Sequence, residues 1–93
     1  MTGRRTEPPP SEWNGTCPWQ PGDYWKADDG WHVVTPNGLL GWIKNHHVVE
    51  HGDGTITVPL HGPGGGANSI LVSDGSGNKS WHGWIDKGEW KVC

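Results

Sequence analysis

Residues able to do chemistry are few in this chain, and their spacing decides what each could do. Six histidines are the obvious starting point. His46, His47 and His51 cluster, and on a helix His47 and His51 would share the i,i+4 face that suits a metal ion. Val48, Val49 and the following Gly52 favour a strand instead. On a strand His47 and His51 still project to one side but stand about 13 Å apart, too far for a single ion. The trio is therefore a weak metal candidate, and His32, His61 and His82 could join it only through the fold. Zinc sites ordinarily place Cys and His at tight spacing, and neither Cys17 nor Cys93 has such a neighbour. No metal and no other cofactor is expected.

Cys17 and Cys93 form a disulfide candidate. Joined, they would close a loop of about 75 residues, worth roughly 4 kcal/mol if the effect is chain entropy. In a reducing cytoplasm two free thiols are the default. Nucleophilic catalysis needs a hydroxyl or thiol held beside a base and an orienting acid. Ser69, Ser73, Ser76 and Ser80 lack an elbow motif, and Cys17 precedes a proline. Asp28 and Asp29 sit in a turn, where solvent keeps carboxylates ordinary. No enzymatic activity is expected.

The eight tryptophans are the remaining chemical resource. Flat indole faces can stack on sugar rings, but a short chain poor in aliphatic residues also needs them as core mass. Trp31, Trp42, Trp81 and Trp84 fall in strands and read as structural. Trp13, Trp19 and Trp25 lie in irregular chain and are the better candidates for an exposed platform or a subunit contact.

The elements that position these groups are short strands. Trp31–Val34 and Leu39–Ile43 flank Thr35–Pro36–Asn37–Gly38, strong β-turn chemistry that makes this the clearest hairpin. His46–Glu50 precedes a turn at 51–54. Thr55–Leu60 alternates, with Ile56, Val58 and Leu60 on one side, and Pro59 places it at an edge or bulge. Ser69–Ser73, Ser80–Ile85 and Trp90–Cys93 follow, separated by polar Gly turns. Gly41 and Gly83 each precede a Trp–Ile pair and are expected to leave room for a neighbouring ring. From Trp13 to Gly30 the prolines argue against a continuous ladder, so this stretch is expected to wrap over the sheet. About six or seven strands imply a small antiparallel β-sandwich or barrel.

Residues 1–12 carry Pro8, Pro9 and Pro10 and almost nothing apolar. They read as an extended arm with polyproline II tendency, mobile in the isolated chain, ahead of a single β domain at 13–93. With 16 glycines, 8 prolines and no phenylalanine in 93 residues, long helices are not expected. The net charge of −3 and scattered bases argue against nucleic acid, which needs a basic face. The chain shows neither a secretory leader nor the roughly 20 apolar residues of a membrane span, so synthesis in a cytoplasm and no membrane partner are expected.

Two stretches carry a family resemblance. One is Trp31–Gly38 with His47–Val58; the other is Ser69–Val72 with Trp81–Trp90, ending in Trp–His–Gly and Lys–Gly–Glu–Trp. Across residues 31–92 this order resembles small β proteins of actinobacterial tailed bacteriophages and prophages. Some such sequences carry a Cys-rich knuckle ahead of this region, where this chain has Cys17. The resemblance implies a virion accessory protein, foremost a capsid decoration or minor capsid component that braces the lattice. Its partners would be capsid or tail subunits, with a homo-oligomer compatible. The expected contacts are the arm, with Arg4, Arg5, Pro8, Pro9 and Pro10, and the aromatic segment, with Trp13, Trp19 and Trp25. A glycan-binding module for host attachment and a host-takeover binding protein are the alternatives.

Overall fold

A computed structural model describes residues 1–8 and 19–93. These residues are all-β. Nine strands run β1 (Arg4–Arg5), β2 (Asp23–Ala27), β3 (Gly30–Val34), β4 (Leu40–Trp42), β5 (Val49–Glu50), β6 (Ile56–Thr57), β7 (Ile70–Ser73), β8 (Ser80–Asp86) and β9 (Glu89–Val92). They form sheets in the orders β1-β2-β3-β4, β5-β6 and β7-β8-β9. Among the described residues the arrangement is a small sandwich, with no closed barrel. No helix among the described residues is long and apolar enough to cross a membrane.

The β3–β4 hairpin forms as its turn residues dictate. Gly38 N–H donates to the Thr35 carbonyl at 2.8 Å, and Gly38 takes a positive φ of 91° that a side chain would resist. Thr35 is wholly buried, and its Oγ1 also accepts from Leu39 N–H. In the alternating strand at 55–60, Ile56 and Val58 are buried but Leu60 is exposed. Val58 bridges to Ile85, and the alternation stops at Pro59, which has no N–H to continue a ladder.

Two strands correct the expectations. The stretch expected to wrap irregularly over the sheet contains β2, a central strand paired on both sides. Its prolines, Pro18 and Pro21, fall before Asp23 and leave the strand's own N–H groups intact. Over residues 1–8 the arm expected to be mobile is part of the body. β1 pairs parallel with β2, and Thr2 bridges antiparallel to Glu89 of β9. The part of the arm expected at 9–12 lies outside the described residues. So do Pro9, Pro10, Trp13 and Cys17, and with Cys17 the disulfide; Cys93 is an exposed free thiol.

Between the sheets the core is aliphatic at its centre and indole at its margin. Val33, Ile56, Val58, Ile70 and Ile85 are completely buried, while Trp31, Trp81 and Trp90 are 4–8% exposed. The expectation that indoles supply the core mass therefore holds for its rim. Gly83 makes the room foreseen for a ring: a Cβ there would overlap the Lys91 carbonyl oxygen and the Trp81 indole. At Gly41 the neighbour is instead Val72, across the sandwich.

Gly83→Ala is expected to cost about 2–3 kcal/mol in urea unfolding, as overpacking against backbone does, whereas Gly52→Ala, with open space around it, stays within about 0.5 kcal/mol. Among the described residues, Thr6 Oγ1 is a buried side-chain oxygen without a hydrogen-bond partner. Thr6→Val removes that stranded hydroxyl, so its unfolding midpoint is expected to rise, by about 1 kcal/mol of stability.

Candidate functional site

The outward face of the four-stranded sheet carries a row of rings. Register pairs Trp25 of β2 with His32 of β3, and His32 with Trp42 of β4. Residues opposite one another share a face, and neighbouring strands lie about 4.8 Å apart. Three flat side chains in one such row must therefore stack. Trp25 and His32 lie parallel with centroids 5.4 Å apart, and His32 and Trp42 with centroids 6.1 Å apart. Trp19 extends the row, stacked on Trp25 at 4.4 Å and 11°.

The β2–β3 turn locks this ladder. Asp29 Oδ1 sits 2.8 Å from His32 Nε2, and the Asp29 carbonyl accepts the Trp42 Nε1–H at 2.9 Å. One turn residue thus fixes the tilt of two rungs. The hydrogen bond from His32 holds the Asp29 carboxyl below its ordinary pKa. The Lys44 ammonium lies 5.1 Å from the Trp42 ring centre, a cation–π contact.

Above the ladder opens a groove of about 450 Å³ lined by Pro8, Trp19, Trp25, Ala27, Asp29, His32, Leu40, Gly41 and Trp42. Trp19 and Trp25 are 8% and 4% exposed, against 51% for Trp42 and 54% for Leu40. Such a lining offers apolar recognition with one His–Asp pair to orient a polar group.

The expected contact residues divide accordingly. Pro8, Trp19 and Trp25 meet at the groove, but the two tryptophans are its buried floor and not an exposed platform. Among the described residues the exposed indole is Trp42, which was expected to be structural; it lies on the solvent side of an edge strand. Trp31 and Trp81 are buried as expected, and Trp84 is half-buried. Arg4 and Arg5 are engaged within the chain. Arg4 pairs with the buried carboxylate of Asp23 at 3.0 Å. Arg5 pairs with Glu50 at 3.1 Å, and Lys26 with the same carboxylate at 2.9 Å. These two cations hold Glu50 below its usual pKa, the Lys26 hydrogen bond acting most strongly.

The histidine trio does not converge. His46 Nε2 bonds the Ser69 carbonyl, His51 Nε2 bonds Thr57 Oγ1, and His47 contributes its backbone N–H to Asn68 Oδ1. Among the described residues no three His, Cys, Asp or Glu side chains gather as a metal site would require. His82 Nε2 does meet Ser69 Oγ at 2.9 Å. Ala27, Asp29, His32, Leu40, Gly41 and Trp42 are the groove residues that sequence reasoning missed. The signal was the register implied by the turns on either side of β3.

Comparison with known proteins finds no family model, curated protein or solved structure that matches the chain.

Linkage sets a test of the Asp29 tie. A carboxyl held low in the fold adds stability above its unfolded pKa of about 3.9, and the gain is lost as pH falls through the lower folded value. Asp29→Asn is therefore expected to be the less stable protein at pH 6. The gap in urea midpoint should close on acidification below about pH 3.9; a gap independent of pH would mean that the carboxylate does not hold His32.

Proposed function

We propose that this chain is a non-enzymatic accessory protein of a tailed-phage virion, attached to capsid subunits through the aromatic groove. The observation that carries the attachment surface is the half-exposed Trp42 standing beside exposed Leu40 at the lip of a ring stack whose other two indoles are buried. Large apolar side chains exposed together and rimmed by polar groups are typical of docking surfaces. Tryptophan on a rigid support is the residue type that most often dominates interface energy. The phage resemblance across residues 31–92 supplies the setting. A symmetric lattice would multiply a modest contact at each copy into firm attachment.

The glycan-binding reading draws on the same half-exposed indole. Its weakness is physical: stacking within the ladder uses ring faces that a sugar would need, and Lys44 also lies against Trp42. Titration with cell-wall glycans separates the two, since a sugar stacked on Trp42 would shift its fluorescence.

Mass spectrometry of purified virions tests the main reading. The wild-type chain is expected in the particles, and a Trp42→Ala chain is expected to fold yet fall in occupancy by about tenfold or more, the loss of a single interface anchor. Absence of the wild-type chain from particles would remove the proposal.

A further inference from the structure

Residues 1–6 occupy a slot between the two larger sheets. On one side Arg4 N–H donates to the Gly22 carbonyl and Thr6 N–H to the Tyr24 carbonyl. On the other, Gly3 N–H donates to the Gly88 carbonyl, and Trp90 N–H donates to the Met1 carbonyl. The segment thus joins β2 to β9. At Gly3 the fit is close: a Cβ would stand 2.8 Å from both the Gly22 carbonyl oxygen and Trp90 Nε1, and 2.9 Å from the Tyr24 ring.

Two properties of this strand matter together. First, its anchors are backbone hydrogen bonds, ion pairs and the Arg5 guanidinium over the Trp31 ring, with no hydrophobic side chain from residues 1–6 among the buried core. Arg4 and Arg5 are 67% and 38% exposed, so the strand leaves without withdrawing a core side chain of its own, though it uncovers the Tyr24 and Trp90 rings that face Gly3. Second, the vacated slot would be costly. It would leave the Asp23 carboxylate, 4% exposed and paired with Arg4, with the Gln20 N–H but no cation, and uncover the edge groups of β2 and β9. A slot that is easy to leave and expensive to keep empty favours replacement of one strand by an identical one.

The connection permits that replacement. Ten residues separate Pro8 from Trp19, a length that spans at most about 35 Å when extended, more than the 24 Å thickness of the molecule. Docking within the chain and docking onto a second copy make the same contacts, so concentration and the strain of the connection choose between them.

We propose that the slot between β2 and β9 is a strand-acceptor site, and that the partner it takes is the N-terminal strand of a second copy of this chain. Exchange in both directions gives a symmetric dimer, and exchange in one direction gives a chain of subunits. The proposal does not depend on the virion assignment.

Full-length protein provides the test. Thr2→Cys and Glu89→Cys are made in separate chains, each also carrying Cys17→Ser and Cys93→Ser, then mixed, incubated and oxidised. Thr2 and Glu89 are bridge partners, close enough for a disulfide, and in this mixture the bond can form only between chains. The expected result is a crosslink between position 2 of one chain and position 89 of the other. Gly3→Ala in the Thr2→Cys chain should reduce it by about tenfold or more. No crosslink, or one indifferent to Gly3→Ala, would overturn the proposal. Native mass spectrometry of mixed isotope-labelled and unlabelled wild-type chains guards against misfolded variants. Mixed-mass dimers or longer species that grow with concentration support exchange, and a monomer throughout the concentration series would overturn it.

Discussion

An indole is a rigid plate with two torsions, so its position is set almost entirely by the strand that bears it. In this protein the decisive constraint is therefore register. Two turns, at 28–29 and around Thr35–Leu39, bring Trp25, His32 and Trp42 into one cross-strand row. Shifting either hairpin by one residue would throw its ring to the opposite face, into a core already filled by Val33 and Val72. The ladder, the groove above it and the exposed lip at Trp42 all depend on that register. Asp29 contributes by tying two rungs from within the turn that sets half of it.

The same economy governs the interior. With few aliphatic residues available, the centre is reserved for the smallest shapes that pack tightly on strands, the β-branched Ile and Val. The indoles close the margins, where the Trp90 ring N–H can still reach the Gly22 carbonyl. Glycine fixes how closely the layers approach. Gly41 admits Val72 from the facing sheet, and Gly83 admits the Trp81 ring. Tyr24 lies at the junction, 1% exposed, and burial raises its phenol pKa despite the opposing hydrogen bond with the Ile56 backbone. Asn68 is the polar counterpart: buried, it grips the Pro59 carbonyl and both backbone groups of His47.

Much of this was legible from residue order. The all-β class, the hairpin at Thr35–Gly38, the turn at Asp28–Gly30 and the interruption at Pro59 follow from local chemistry, because turn residues act on their own neighbours. What escaped were features created by partners distant in sequence. β2 was obscured by prolines that end just before it, and once β2 is missed Trp25 has no register and the ladder cannot be inferred. The N-terminal segment has no apolar periodicity because its pairing is through the backbone, which side-chain pattern does not report. Trp42 was misjudged for a related reason. A strand has two faces, and which one meets solvent at an edge depends on the packing of the other sheet.

The parallel indoles of Trp19 and Trp25, 4.4 Å apart, have an optical consequence. Two identical chromophores at that separation share their excited states, and the sign and size of the resulting circular-dichroism couplet follow the rotation of one ring over the other. Their position in the groove floor makes this signature an internal gauge of the site. Anything that seats against those rings or tilts them alters the couplet without an added label.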